Sequence, residues 1–139
     1  MNGQCLCGAV RIEMEPARQK LTVCHCDMCR RWCSGPFFSI QGKAGATIDG
    51  PAKAVKTSEW AERGHCGACG SNLWYRMTDP EGPINFAAGL FETGEIPVGL
   101  EVWVDEKPDG IALMGDQKRM TGAQVLAAMG IAEDGVKDE

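Results

Sequence analysis

The sequence predicts a mainly β fold of short elements, with one well-marked helix near the C-terminus. Three observations carry this. Eighteen glycines and seven prolines in 139 residues give more chain breaks than a helical bundle needs. Val10, Ile12 and Met14 alternate with Arg11, Glu13 and Glu15, the period of a half-buried strand. The only helical signature of any length lies after residue 120.

Taken in order, residues 8–15 form the first expected strand, and Pro16 stops it. Leu21-Thr22-Val23 is a short apolar run leading into Cys24-His25-Cys26-Asp27-Met28-Cys29-Arg30-Arg31. Asp27 to Trp32 has room for a single helical turn. Pro36 to Ile40 reads as a strand, followed by turns at Gly42, Gly45 and Gly50-Pro51 around a short piece, Ala46 to Ile48. Residues 53–58 alternate weakly. Cys66-Gly67-Ala68-Cys69-Gly70 is a knuckle, whose glycines let the backbone turn tightly and aim amides at sulfur. Ser71 to Arg76 leaves it as a strand. Asp79-Pro80-Glu81-Gly82-Pro83 is a turn, and Ile84 to Ala88 and Leu100 to Val104 are further strands. Thr121 and Gln124 then fit a capping box. Val125, Leu126 and Met129 make a narrow apolar stripe, and Gly130 sits where a C′ glycine belongs. The length suits one domain over residues 1–130, with a charged, frayed tail at 131–139.

The formal net charge is −5. An acidic chain gains little from counterion release on nucleic acid and is repelled by anionic membranes. No stretch approaches the roughly 20 apolar residues of a membrane span, and the first residues lack the apolar run of a signal peptide. The expectation is therefore a cytoplasmic protein with no nucleic-acid or membrane partner. In a reducing compartment, clustered cysteines are metal ligands or catalytic groups rather than disulfides.

Zinc takes about four ligands in a tetrahedron, and C-x-x-C or C-x-C pairs on tight turns let two sulfurs converge. Two knuckles distant in sequence make one site, so Cys5, Cys7, Cys66 and Cys69 are the expected structural zinc ligands. Such a site stapling the first strand to mid-chain contributes on the order of 10 kcal/mol to folding. The central cluster supplies Cys24, Cys26 and Cys29. Cys33 is a possible fourth ligand, which would close the site. Without it the fourth position is open to water or substrate, as in a catalytic zinc. Spacing alone leaves both open. His25, flanked by two ligands, is expected to point away from the metal. Arg30 and Arg31 can grip a carboxylate, or simply offset thiolate charge in solvent. Arg63 is a weaker case of the same kind. Asp27 reads as a turn residue before a general base.

These motifs together resemble the glutathione-dependent formaldehyde-activating enzyme family, which includes the domain of centromere protein V. The resemblance rests on Gly3-x-Cys5-x-Cys7-Gly8-x-Val10, on Cys24-His25-Cys26-x-x-Cys29-Arg30-Arg31-Trp32 running into Ser34-Gly35, and on Arg63-Gly64-x-Cys66-x-x-Cys69-Gly70-Ser71-x-Leu73. Ala88-Gly89-Leu90 and Trp103 to Pro108 look like its closing segments. The resemblance implies a β-tent fold, shared with type B methionine sulfoxide reductases. It implies two zinc ions per chain: a structural one on Cys5, Cys7, Cys66 and Cys69, and a catalytic-type one on Cys24, Cys26 and Cys29. The implied activity is that of a carbon–sulfur lyase joining glutathione, or another small thiol, to formaldehyde or another aldehyde. The chain departs from the family pattern at Cys33, at His65 and at Gly110-Ile111, positions that bear on substrate. Two competing readings both turn on Cys33. In one, it closes the second site of a non-catalytic zinc-binding interaction module. In the other, it is the nucleophile of a thiol redox enzyme.

Overall fold

The computed structural model describes residues 1–79 and 82–130. The tail expected at 131–139 and the centre of the Asp79–Pro83 turn lie outside them, although the Gly82 amide donates to the Asp79 carbonyl at 3.0 Å. The strands are β1 (Asn2–Gln4), β2 (Arg11–Glu13), β3 (Leu21–Cys24), β4 (Phe37–Gly42), β5 (Thr47–Asp49), β6 (Ala52–Lys56), β7 (Ala61–Cys66), β8 (Asn72–Met77), β9 (Ile84–Ala87), β10 (Val98–Val102) and β11 (Lys118–Met120). The helices are α1 (Asp27–Cys33) and α2 (Gly122–Ala128), with 3-10 turns at Ala88–Leu90 and Val104–Glu106. The fold is mainly β, and the C-terminal helix is where the capping box put it.

The chain forms two compact units. The first comprises Met1–Gln19 and Ser39–Ile96. Here β1, β2 and β5 make a small antiparallel sheet in that order. Val10, Ile12 and Met14, the alternating set read from the sequence, are all buried. A second antiparallel run pairs β4 with β9, β9 with β8, β8 with β7 and β7 with β6. Its core holds Ile40, Leu73, Trp74 and Phe86, and Phe86 meets Phe91 edge-to-face at 6.0 Å between centroids. Gly64 is required on β7. A Cβ there would lie 2.3 Å from the Trp74 ring carried by β8.

The second unit comprises Lys20–Phe38 and the chain from Pro97 on. Its strands run parallel, with β10 between β3 and β11. Buried Leu21 and Val23 on β3 and Leu126 on α2 form its apolar part. The central strand also buries a carboxylate, Glu101. Among the described residues no helix is long and apolar enough to cross a membrane.

Candidate functional site

The first unit gathers four thiols that lie 59 or more residues apart across two loops. Cys5 and Cys7 leave β1; Cys66 ends β7 and Cys69 completes the knuckle into β8. Their sulfurs all lie within 4.8 Å of one another. Cys5 Sγ is 3.6 Å from Cys7 Sγ, which is 3.9 Å from Cys66 Sγ. A tetrahedron with metal–sulfur bonds of about 2.3 Å has edges of about 3.8 Å, so the donor set fits such an ion. Backbone amides already point at the sulfurs. Val10 N–H donates to Cys5 Sγ at 3.3 Å, and the Ala68 and Cys69 amides to Cys66 Sγ at 3.3 and 3.4 Å.

The electrostatics say the same. The Ser71 hydroxyl, 3.1 Å from Cys69 Sγ, leads the groups that draw that thiol down to about 5. The Val10 amide does the same, more mildly, for Cys5. At Cys7 the Ala9 amide favours the thiolate, but the adjoining Cys5, burial, and the thiols of Cys69 and Cys66 outweigh it and push Cys7 up to about 11. Four sulfurs this close cannot all ionise unless a cation joins them.

The second unit gathers Cys24, Cys26 and Cys29, also within 4.8 Å. Cys24 ends β3, Cys26 is the N-cap of α1 and Cys29 lies one turn along. The Cys26 sulfur accepts the Cys29 amide at 3.4 Å, so a thiol does the work usually done by a Ser or Asp cap. The thiols of Cys26 and Cys29 push Cys24 well above the usual range. At Cys26 the Cys24 thiol lowers the pKa, and Cys29 with burial raises it by more. This set of three fits a metal ion by the same argument.

Cys33 does not join it. Its thiol donates to the Cys29 carbonyl at 3.0 Å and to the Gly35 carbonyl at 3.3 Å, as a residue at the end of a short helix does. His25 also turns away, as expected. It is buried, and its Nε2 meets Glu101 Oε1 at 2.8 Å. Glu101 Oε2 in turn accepts from Gln117 Nε2 and Arg119 Nε, each at 2.8 Å. Burial raises the Glu101 pKa, but His25, Gln117 and Arg119 outweigh it and hold the carboxyl below its ordinary value. Arg30 and Arg31 lie in the last turn of α1, Arg31 exposed and Arg30 half-buried. Neither guanidinium pairs with a carboxylate among the described residues. Arg63 is buried instead, 4.9 Å over the Tyr75 ring, and presents no charge to solvent. Asp27 is the first residue of α1, where a carboxylate suits the helix dipole. Sequence reasoning missed Glu101, Gln117, Arg119 and Glu106. Glu106 Oε1 accepts the Asp27 amide at 2.9 Å, one residue from Cys26.

Comparison with known proteins agrees with this geometry. An uncharacterized lyase of Schizosaccharomyces pombe is 36% identical over 110 residues, which is 77% of this chain and 80% of the yeast protein. The crystal structure of a Rhodobacter sphaeroides protein matches with a TM-score of 0.58 at 21% identity, over 70% of this chain and 99% of that one, a likeness of fold. The family model of the glutathione-dependent formaldehyde-activating enzymes matches residues 1–106, which takes in all seven clustered thiols and the loop that carries Glu106, and the chain belongs to that family.

Proposed function

We infer that the protein is a zinc-dependent lyase of the carbon–sulfur type. It joins glutathione or a similar small thiol to formaldehyde or another small aldehyde, giving an S-hydroxyalkyl adduct. Its family and the name of its yeast relative support a lyase. The single observation that carries the reading is the three-thiol cluster with Cys33 turned away. It leaves Cys24, Cys26 and Cys29 as a set one ligand short of a tetrahedron. The same observation weighs against the closed, non-catalytic site. The redox reading gains nothing from a Cys33 thiol engaged by two carbonyls.

Zinc held by three thiolates is a weak Lewis acid, and the chemistry it supplies is to hold a substrate thiol and lower its pKa. Cys5, Cys7, Cys66 and Cys69 hold a structural zinc. The protein's own groups do the rest. The Cys29 amide fixes the Cys26 sulfur, and the His25–Glu101 contact fixes the loop that carries Cys24 and Cys26. Arg30 and Arg31, which pair with no carboxylate among the described residues, attract the carboxylates of glutathione. Bringing sulfur and carbonyl carbon together supplies most of the acceleration, since the uncatalysed addition is already facile.

The test is the rate of adduct formation from glutathione and formaldehyde, followed by NMR exchange on zinc-loaded protein. Wild type is expected to exceed the uncatalysed rate and Cys29→Ser to match it. Equal rates in the two would defeat the reading.

A further inference from the structure

The addition needs a group that takes the thiol proton and returns it to the carbonyl oxygen. We propose that Glu106 is that group, an inference that rests on the thiol–aldehyde reading above.

Three features of the loop at 103–106 point there. First, Glu106 is half-buried and divided in its duties. Oε1 accepts the Asp27 amide, one residue from the ligand Cys26, while Oε2 has no partner among the described residues. One oxygen holds the side chain in place and the other is left for chemistry. Second, no cationic side chain among the described residues pairs with it. The next residue, Lys107, is engaged by the Ile111 carbonyl. Third, the backbone that delivers it is strained. Trp103 has φ 58° and ψ 40°, a left-handed conformation that a residue of this size rarely adopts.

That strain is held from several sides. Trp103 O accepts the Glu106 amide at 3.0 Å, and its ring occupies the place where Gly122 would otherwise carry a Cβ, 2.1 Å away. Asp105 Oδ1 accepts the Gly122 amide at 2.8 Å. A tryptophan in this conformation, locked against α2 and followed within three residues by a carboxylate at the cluster, is a device for aiming that carboxylate.

The step balances without a co-reactant. The Glu106 carboxylate takes the S–H proton, and the sulfur lone pair forms the C–S bond. The C=O π pair moves to oxygen, and the Glu106 carboxylic acid returns the proton to it. Nothing is oxidised or reduced, and the product is the S-hydroxyalkyl thioether.

The experiment compares wild type, Glu106→Gln and Glu106→Ala, all zinc-loaded, for adduct formation and for glutathione binding. Glutamine keeps an acceptor for the Asp27 amide but cannot carry the proton. The expected result is a loss of about 100-fold in the catalysed rate for Glu106→Gln, with glutathione affinity and zinc content kept. Added acetate is expected to restore part of the rate in Glu106→Ala. A catalysed rate in Glu106→Gln equal to wild type would overturn the proposal while leaving the thiol–aldehyde reading intact. Loss of zinc or of glutathione binding in Glu106→Gln would make the carboxylate structural and overturn it as well. A wild type no faster than the uncatalysed reaction would defeat the underlying reading, a failure distinct from the other two.

Discussion

A carboxylate in the middle strand of a sheet is tolerated only where its charge is met, and Glu101 meets three donors. His25, Gln117 and Arg119 converge on it from three segments, and Arg119 is itself fixed by the carbonyls of Leu113 and Gly115. Replacing it with leucine leaves His25 buried and unpaired on both ring nitrogens, since Nδ1 already lacks a partner. Glu101→Leu is expected to cost about 3–5 kcal/mol in chemical denaturation. Because the folded-state pKa is depressed, the stability Glu101 contributes is complete above its ordinary pKa. It is lost as pH falls through the lower, folded value. The stability gap between wild type and Glu101→Gln should therefore narrow as the pH is lowered below the ordinary carboxylate range. At this scale the cysteines were legible and their supports were not. A C-x-x-C pair announces its own geometry, whereas His25 and Glu101 are 76 residues apart and nothing local in either segment names the other.

Helix α2 shows what local sequence can dictate. Thr121 Oγ1 accepts the Gln124 amide at 3.2 Å and Gln124 Oε1 accepts the Thr121 amide at 2.8 Å, the reciprocal pair of a capping box. Gly130 follows with φ +73°. Thr121→Ala should lower stability by about 1 kcal/mol, read by thermal unfolding. The strand β7 is the opposite case and was missed. Its buried positions are Ala61, Arg63, Gly64 and Cys66, which show no apolar alternation. Its inner face is filled instead by the Trp74 ring of its neighbour. Gly64→Ala is expected to cost about 1–3 kcal/mol by overpacking and to shift Trp74 fluorescence, where a surface glycine would be neutral. Strand β11, Lys118-Arg119-Met120, was equally silent, because a polar edge strand is defined by its partner β10 rather than by its own pattern. Gly122→Ala belongs to the same class. A Cβ there displaces the Trp103 ring, and with it the loop carrying Glu106, so the catalysed rate should fall although no reacting group has changed.

Across the whole molecule the seven clustered cysteines divide into two groups, four in one unit and three in the other. The first cluster brings together residues far apart in sequence, so a metal ion held there would staple the fold. The second lies within six residues of one turn and ties no distant segments together. Cys66→Ser should lose one metal per chain and most of the thermal stability, in line with the roughly 10 kcal/mol a structural zinc contributes. Cys29→Ser should also lose one metal, yet keep a cooperative unfolding transition. The mainly β class and the two cysteine groups were readable because turn residues and cysteine spacing are local signals. The state of Cys33 was not, since its two carbonyl partners exist only once α1 has formed. The measurement that bears most directly on the open three-thiol site is calorimetry of glutathione with zinc-loaded protein, run beside Cys29→Ser. Saturable binding in the wild type that disappears in the variant is the predicted result. No binding in a wild type that holds both metals would contradict it.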